Sequence, residues 1–183
     1  MPVAARRTTA PRIENTTPGC THDDRIPTRM TPFRDTSMPK PAAILGGLGL
    51  LPFIALSIQV ATGLPLGPRM TGPALYALTI YGAVILSFLG GIQWGLAVAN
   101  ADRSDAWRRF AFSALPSFAA FAALWFGGRI GLITLATALG VWGLYEIWST
   151  GLGEAPAWYG KLRAALTVFS VAAVGAAAYY GPF

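Results

Sequence analysis

A chain of 183 residues with 12% charged and 54% apolar residues and a mean hydropathy of +0.49 carries too little charge to clothe a water-facing surface. Soluble domains carry about 25% charged residues. A single cysteine excludes a disulfide-stapled domain, and the composition as a whole is that of a membrane protein.

The charges are clustered. Seven basic residues (Arg6, Arg7, Arg12, Arg25, Arg29, Arg34, Lys40) and four acids (Glu14, Asp23, Asp24, Asp35) precede Pro41. Residues 1–38 are rich in Thr, Pro and Arg and lack apolar periodicity, so they cannot bury enough apolar area to offset their ordering entropy. They are predicted to be a disordered cytoplasmic tail. They lack the apolar centre of a secretory signal, and four acids are unusual for a transit peptide. The competing reading is that translation starts at Met30 or Met38, since Met38-Pro39-Lys40 directly precedes the first apolar run.

Long uncharged runs follow: 28 residues from Pro41 to Pro68, 32 from Met70 to Ala101, 19 from Phe110 to Gly128, 16 from Ile130 to Tyr145 and 20 from Ala164 to Phe183. About 20 apolar residues at 1.5 Å each cross the hydrocarbon. The runs predict an all-α, polytopic membrane helix bundle with five transmembrane helices, at about 42–62, 74–99, 108–127, 130–148 and 162–180, together forming a 39–183 domain. The third and fourth are separated because one helix over 110–148 would be about 58 Å long, almost twice the hydrocarbon thickness. Gly127-Gly128-Arg129 supplies a breaker and a charge at its midpoint.

With five crossings, one side holds 12 of the basic residues and the other holds Arg69 and Arg129. Basic residues beside helix ends stay on the cytoplasmic side, so the N-terminus is predicted inside and the C-terminus outside. The formal charge of +6 is accounted for by this topology and by anionic headgroups, and nucleic acid is not expected as a partner. The lipid bilayer is.

Cys20 and His22 are the only residues of their kinds, and both lie in the tail. Two ligands do not close a zinc site, and a bundle without histidine offers neither haem ligation nor a Ser-His-Asp triad. No cofactor, metal or catalytic residue is predicted.

The second helix carries the most distinctive stretch, Tyr81-Gly82-Ala83-Val84-Ile85-Leu86-Ser87-Phe88-Leu89-Gly90-Gly91-Ile92-Gln93-Trp94-Gly95. Ser87, Gly91 and Gly95 recur every four residues on one face, a spacing that lets helix backbones approach closely in lipid. Tyr81 needs a partner for its hydroxyl near mid-membrane. Gln93 lies about 10 Å inside the cytoplasmic end and needs one for its amide. Trp94 either anchors at the interface or fills the bundle. Trp107, Trp125, Trp148 and Trp158 suit interfacial belts, and Trp142 falls deeper, at a packing position. Pro52 and Pro116 interrupt the first and third helices and predict kinks.

This stretch resembles an uncharacterised family of small membrane proteins, the one that includes mitochondrial transmembrane protein 69. Gly46 to Phe53, Tyr159 to Thr167, Ser113 and Pro116 are similar to other segments of that family. The likeness covers residues 39–180. It differs at Glu146, where the family commonly has Asp. The resemblance implies a bacterial inner (plasma) membrane, or the mitochondrial inner membrane in a eukaryote, and implies no reaction.

Glu146 is the only acid inside a predicted transmembrane helix, and Arg163 opens the fifth helix on the same side. A pair between them would tie the last two helices together, and with Gln93 would form a candidate polar cluster. The bland reading puts Glu146 at the interface, hydrated or paired, and structural pairing is preferred to a solute or proton role or a protein-partner contact. The sequence thus predicts a non-enzymatic integral membrane protein acting by helix–helix contacts, as an accessory or assembly factor, with a membrane-protein partner or a second copy of itself. The alternative is a small transporter or channel-like protein with its polar site at Gln93, Glu146 and Arg163. An intramembrane enzyme is disfavoured, because the bundle has no histidine and no carboxylate pair for acid–base chemistry.

Overall fold

The computed structural model describes residues 37–99, 101–102, 104–152 and 155–183. The tail expected over residues 1–38, with Cys20 and His22, lies almost wholly outside the described residues. Among those described, five helices are long and apolar enough to cross a membrane: α1 (Lys40–Thr62), α2 (Thr71–Val98, preceded by a short 3-10 turn, Pro68–Met70), α3 (Ala106–Phe126), α4 (Gly128–Gly151) and α5 (Ala157–Tyr180). The protein is a multi-pass membrane protein.

The helices differ from their expected bounds mainly at charged ends. α2 starts three residues earlier than predicted, α4 runs on to Gly151, and α5 begins at Ala157 rather than 162. A stretch without charge measures the hydrocarbon, whereas a helix continues until its backbone is broken. For α5 the break is Pro156, extended at φ −61°, ψ 145°. One full turn carrying Trp158, Tyr159 and Lys161 therefore precedes the apolar segment.

The Gly127 turn is as tight as expected, with one residue between α3 and α4. Gly127 and Gly128 have φ of +57° and +51°, a region costly to any side chain, so two glycines in sequence are what lets the chain reverse here. Between α1 and α2 the device is different. The Gln59 side chain donates to the Gly67 carbonyl at 2.9 Å and accepts from the Leu66 amide at 2.9 Å, stitching the connection to the last turn of α1.

Neighbours in sequence are neighbours in space. α1 packs on α2, α2 on α3, α3 on α4, α4 on α5, and α5 closes the ring against α1, with α2 and α4 also touching across the middle. Paired residues run in opposite directions along adjacent helices, as in Gly143 with Thr167 and Gly160 with Thr150, which makes α4 and α5 antiparallel. The near end of the bundle, holding Lys40 and the α2–α3 and α4–α5 connections, is the end of the polar cluster. The far end holds Arg69, the Gly127 turn and the C-terminus, where Arg129 lies 5.0 Å from the ring centre of Phe183.

The core is built from Leu78, Leu86, Leu132, Leu135, Val60 and Val174, all shielded from the surface, and from glycines that admit a neighbour. A Cβ at Gly90 would lie 2.6 Å from the Ser113 carbonyl and 3.3 Å from the Pro116 ring of α3. One at Gly82 would strike Leu135 of α4, and one at Gly131 the Ala123 carbonyl. A Cβ at Gly91 or Gly95, expected on a helix-packing face, would meet nothing within 4 Å outside its own helix backbone among the described residues. Each residue of a helix turns about 100°, so the inward stripe of α2 is Gly82-Leu86-Gly90, and the Ser87-Gly91-Gly95 face is rotated away from the other described helices. Trp94 is half exposed and lies edge-on to Phe110 of α3 at 4.8 Å. Trp107, Trp125 and Trp148 are exposed, as belt residues are, and Trp142 is buried.

This arrangement separates two adjacent glycines by consequence. Gly90→Ala should destabilise the bundle, because overpacking against a backbone carbonyl costs about 1–3 kcal/mol and outweighs the helix-propensity gain of about 1 kcal/mol. Gly91→Ala should be neutral or slightly stabilising. Denaturant titration of the two variants in detergent, followed by circular dichroism, distinguishes them. Equal losses would refute the assigned faces.

Candidate functional site

At the near end, α2, α4 and α5 each send a polar side chain into the bundle. Glu146 sits five residues before the end of α4 and is fully buried. Arg163 projects from the second turn of α5 and is also buried. Its Nε donates to Glu146 Oε2 at 2.5 Å, and the Tyr159 hydroxyl, one turn earlier on the same helix face, donates to Oε1 at 3.1 Å. Gln93 of α2 faces the same carboxylate. The three residues singled out from the sequence are therefore brought together. Glu146 is paired rather than hydrated, because Arg163 and Tyr159 of α5 take its carboxylate oxygens and the side chain is fully buried.

The local sequence explains how. Tyr159 and Arg163 are four apart, so both point to one side of α5. Gly143, one turn before Glu146 on α4, lets α5 come close: a Cβ there would collide with Thr167. Gly160 plays the same part on α5 against Thr150 of α4, at 3.0 Å. Two glycines on opposing helices thus bracket the ion pair and set the short α4–α5 separation that a direct Arg–Glu contact needs. Below the pair, the Ser149 and Thr150 hydroxyls both donate to the Glu146 backbone carbonyl, at 3.0 and 2.8 Å.

Tyr159 was missed as a site residue. Its signal was present, since a tyrosine one turn before a buried cation faces whatever the cation faces. Tyr81, by contrast, lies away from the cluster. Its hydroxyl donates to the Gly49 carbonyl of α1 at 2.8 Å, and its ring meets Phe53 edge-on at 5.0 Å. Gly49 lies three residues before Pro52, in the turn that the proline disturbs. Tyr81 is thus an α1–α2 tie, Ser87 is half-buried on the outward side of α2, and Gly91 and Gly95 are open.

Two hollows flank the ion pair. One, of about 410 Å³, lies at the near end between α2, α3 and α4, and is lined by Gln93, Arg108, Phe112, Tyr145 and Trp148 with the Asp105–Arg109 pair. The other, of about 250 Å³, is an apolar groove between α1, α2 and α5, with Arg163 and Thr167 among its lining. Gln93 belongs to the lining of the first and Arg163 to that of the second. Chemically, the cluster can hold one buried charge pair and supply donors. Among the described residues no group of three or more His, Cys, Asp or Glu is close enough to hold a metal ion.

Removing one member of a buried pair leaves an uncompensated charge, at about 3–5 kcal/mol. Glu146→Gln and Arg163→Gln should each lower stability by that order, and the double variant by much less than the two together. A double-mutant cycle measured by denaturant titration in detergent tests this, and additive losses would show that the pair does not couple α4 to α5.

The chain matches, over residues 38–179, a family described as a protein of unknown function, DUF3429. It is 36% identical over 140 residues to transmembrane protein 69 of Xenopus tropicalis, a match covering 73% of this chain and 51% of that protein. It is 29% identical over 133 residues to transmembrane protein 69 of Mus musculus, covering 71% and 52%. The chain therefore spans about half the length of the curated relatives it matches. No solved structure matches it significantly. The family match takes in all five membrane-crossing helices and the Gln93–Glu146–Arg163 cluster, and on that ground the chain belongs to the DUF3429 family of membrane proteins.

Proposed function

We propose that the protein is non-enzymatic and acts by helix–helix contact, as an accessory or assembly factor for a partner in the bacterial inner membrane or in the mitochondrial inner membrane descended from it. The carrying observation is the division of labour among the glycines of α2. Gly82 and Gly90 are occupied by α4 and α3, whereas a Cβ at Gly91 or Gly95 would meet no other helix among the described residues. Small residues four apart on a lipid-facing side give a second backbone close access, the geometry that favours association where apolar burial supplies no drive. The state of Glu146 supports the same reading. The one acid within the spans is held by Arg163, Tyr159 and Gln93, an arrangement suited to joining helices.

A transporter or channel-like role is the second reading, favoured by two hollows, one lined in part by Gln93 and the other by Arg163. Transport would need that pair to open, and flux into liposomes abolished by Glu146→Gln at unchanged helix content would support it over the first.

The contact reading predicts that Gly91→Leu leaves helix content and unfolding unchanged in detergent while abolishing a specific higher-mass complex seen for the native chain on mild solubilisation of its own membrane. An unaltered complex would refute it. The orientation proposed with it, N-terminus in the cytoplasm and C-terminus outside, is tested by reporter fusions. Both termini in one compartment would overturn the five-crossing topology.

A further inference from the structure

The apolar groove is built unlike the rest of the lipid-facing surface. Its walls are Leu45 and Leu50 of α1, Ile85 and Phe88 of α2, and Leu166 of α5, and its floor carries a cation. Leu45 and Phe88 are 69% and 63% exposed, so the groove opens sideways toward lipid. Arg163 is nine-tenths buried, and its only hydrogen bond to a described residue is the one from Nε to Glu146. Its two terminal amino groups bond to no described residue and are not sealed from the surface.

An unsatisfied donor is costly where no water can serve it, so a guanidinium with two free amino groups at the base of an apolar groove calls for an oxygen acceptor on an apolar molecule. The depth suits one source. Arg163 lies six residues, about 9 Å along the axis, inside the start of α5, within reach of the ester and phosphate oxygens of a lipid standing in the adjacent leaflet. The guanidinium edge that faces away from Glu146 favours an anion, because charge-assisted hydrogen bonds are the strong ones. We infer that this groove is a specific site for one anionic phospholipid, with an acyl chain lying against Leu50, Ile85 and Leu166 and its phosphate or ester oxygens accepting from Arg163. The site is separate from the Gly91–Gly95 face and independent of any partner there.

Native mass spectrometry of the purified full chain in detergent tests this, with dioleoyl phosphatidylglycerol, dioleoyl phosphatidylcholine and oleate added separately. The expected result is one retained phosphatidylglycerol and markedly less phosphatidylcholine. Retention should fall about tenfold in Arg163→Gln, the weakening that follows loss of a charge-assisted hydrogen bond. Arg163→Gln also breaks the ion pair, so Leu45→Trp serves as the second variant. It fills the groove from an exposed position, leaves Glu146 and Arg163 in place, and should reduce retention to a similar degree at unchanged helix content. Equal retention of phosphatidylglycerol and phosphatidylcholine, retention of oleate alone, or binding indifferent to Leu45→Trp would each overturn the assignment.

Discussion

Two helices in hydrocarbon gain nothing by hiding apolar surface from each other, because the lipid is as apolar as they are. That constraint governs this bundle. Leucine-rich faces alone would leave the helices free to drift apart, so cohesion rests on how closely backbones approach and on the few polar groups that lipid cannot satisfy. The glycines supply the approach: Gly82 admits Leu135, Gly90 the backbone of α3, Gly131 that of Ala123, Gly143 the side chain of Thr167. The polar groups supply direction, with Tyr81 tying α2 to α1, Gln93 tying α2 to α4, and Arg163 and Tyr159 tying α5 to α4.

The ion pair depends on that closeness. A buried charge pair holds only if its geometry is good and its remaining lone pairs are met. Here Gly143 and Gly160 set the α4–α5 separation, and Tyr159 takes the carboxylate oxygen that Arg163 leaves open. The result is asymmetric. Each Glu146 carboxylate oxygen accepts a hydrogen bond, whereas Arg163 bonds through Nε alone and also lines the groove. A cluster that reads as a simple helix tie from α4 therefore reads as a partly open donor from α5.

The long motif of α2 has a similar double aspect. Its residues do not serve one purpose, because a helix shows each of them a different direction. Gly82 and Gly90 are consumed by internal packing, Tyr81 by a hydrogen bond to α1, Gln93 by the cluster, while Gly91 and Gly95 remain on the surface. A contiguous string is thus divided among three neighbours and the lipid, which is how one helix can stand at the junction of α1, α3 and α4 and still present a free face.

The number of crossings, the Gly127 turn and the near-end location of Gln93, Glu146 and Arg163 were legible in the sequence, because lipid imposes a length on every uncharged run and a place on every charge. Helix ends were less so, since a charge marks the edge of the hydrocarbon and only a breaker such as Pro156 marks the end of a helix. Which glycines pack was decided by the tertiary structure alone. Gly90 and Gly91 are identical in chemistry and adjacent in sequence, and the difference between them is a 100° rotation fixed by where α3 lies. The same holds for the free side of Arg163: a sequence can state that a cation sits near an acid, but which of its nitrogens the acid takes, and what the others face, depends on the distance and rotation between two helices that neither helix encodes by itself.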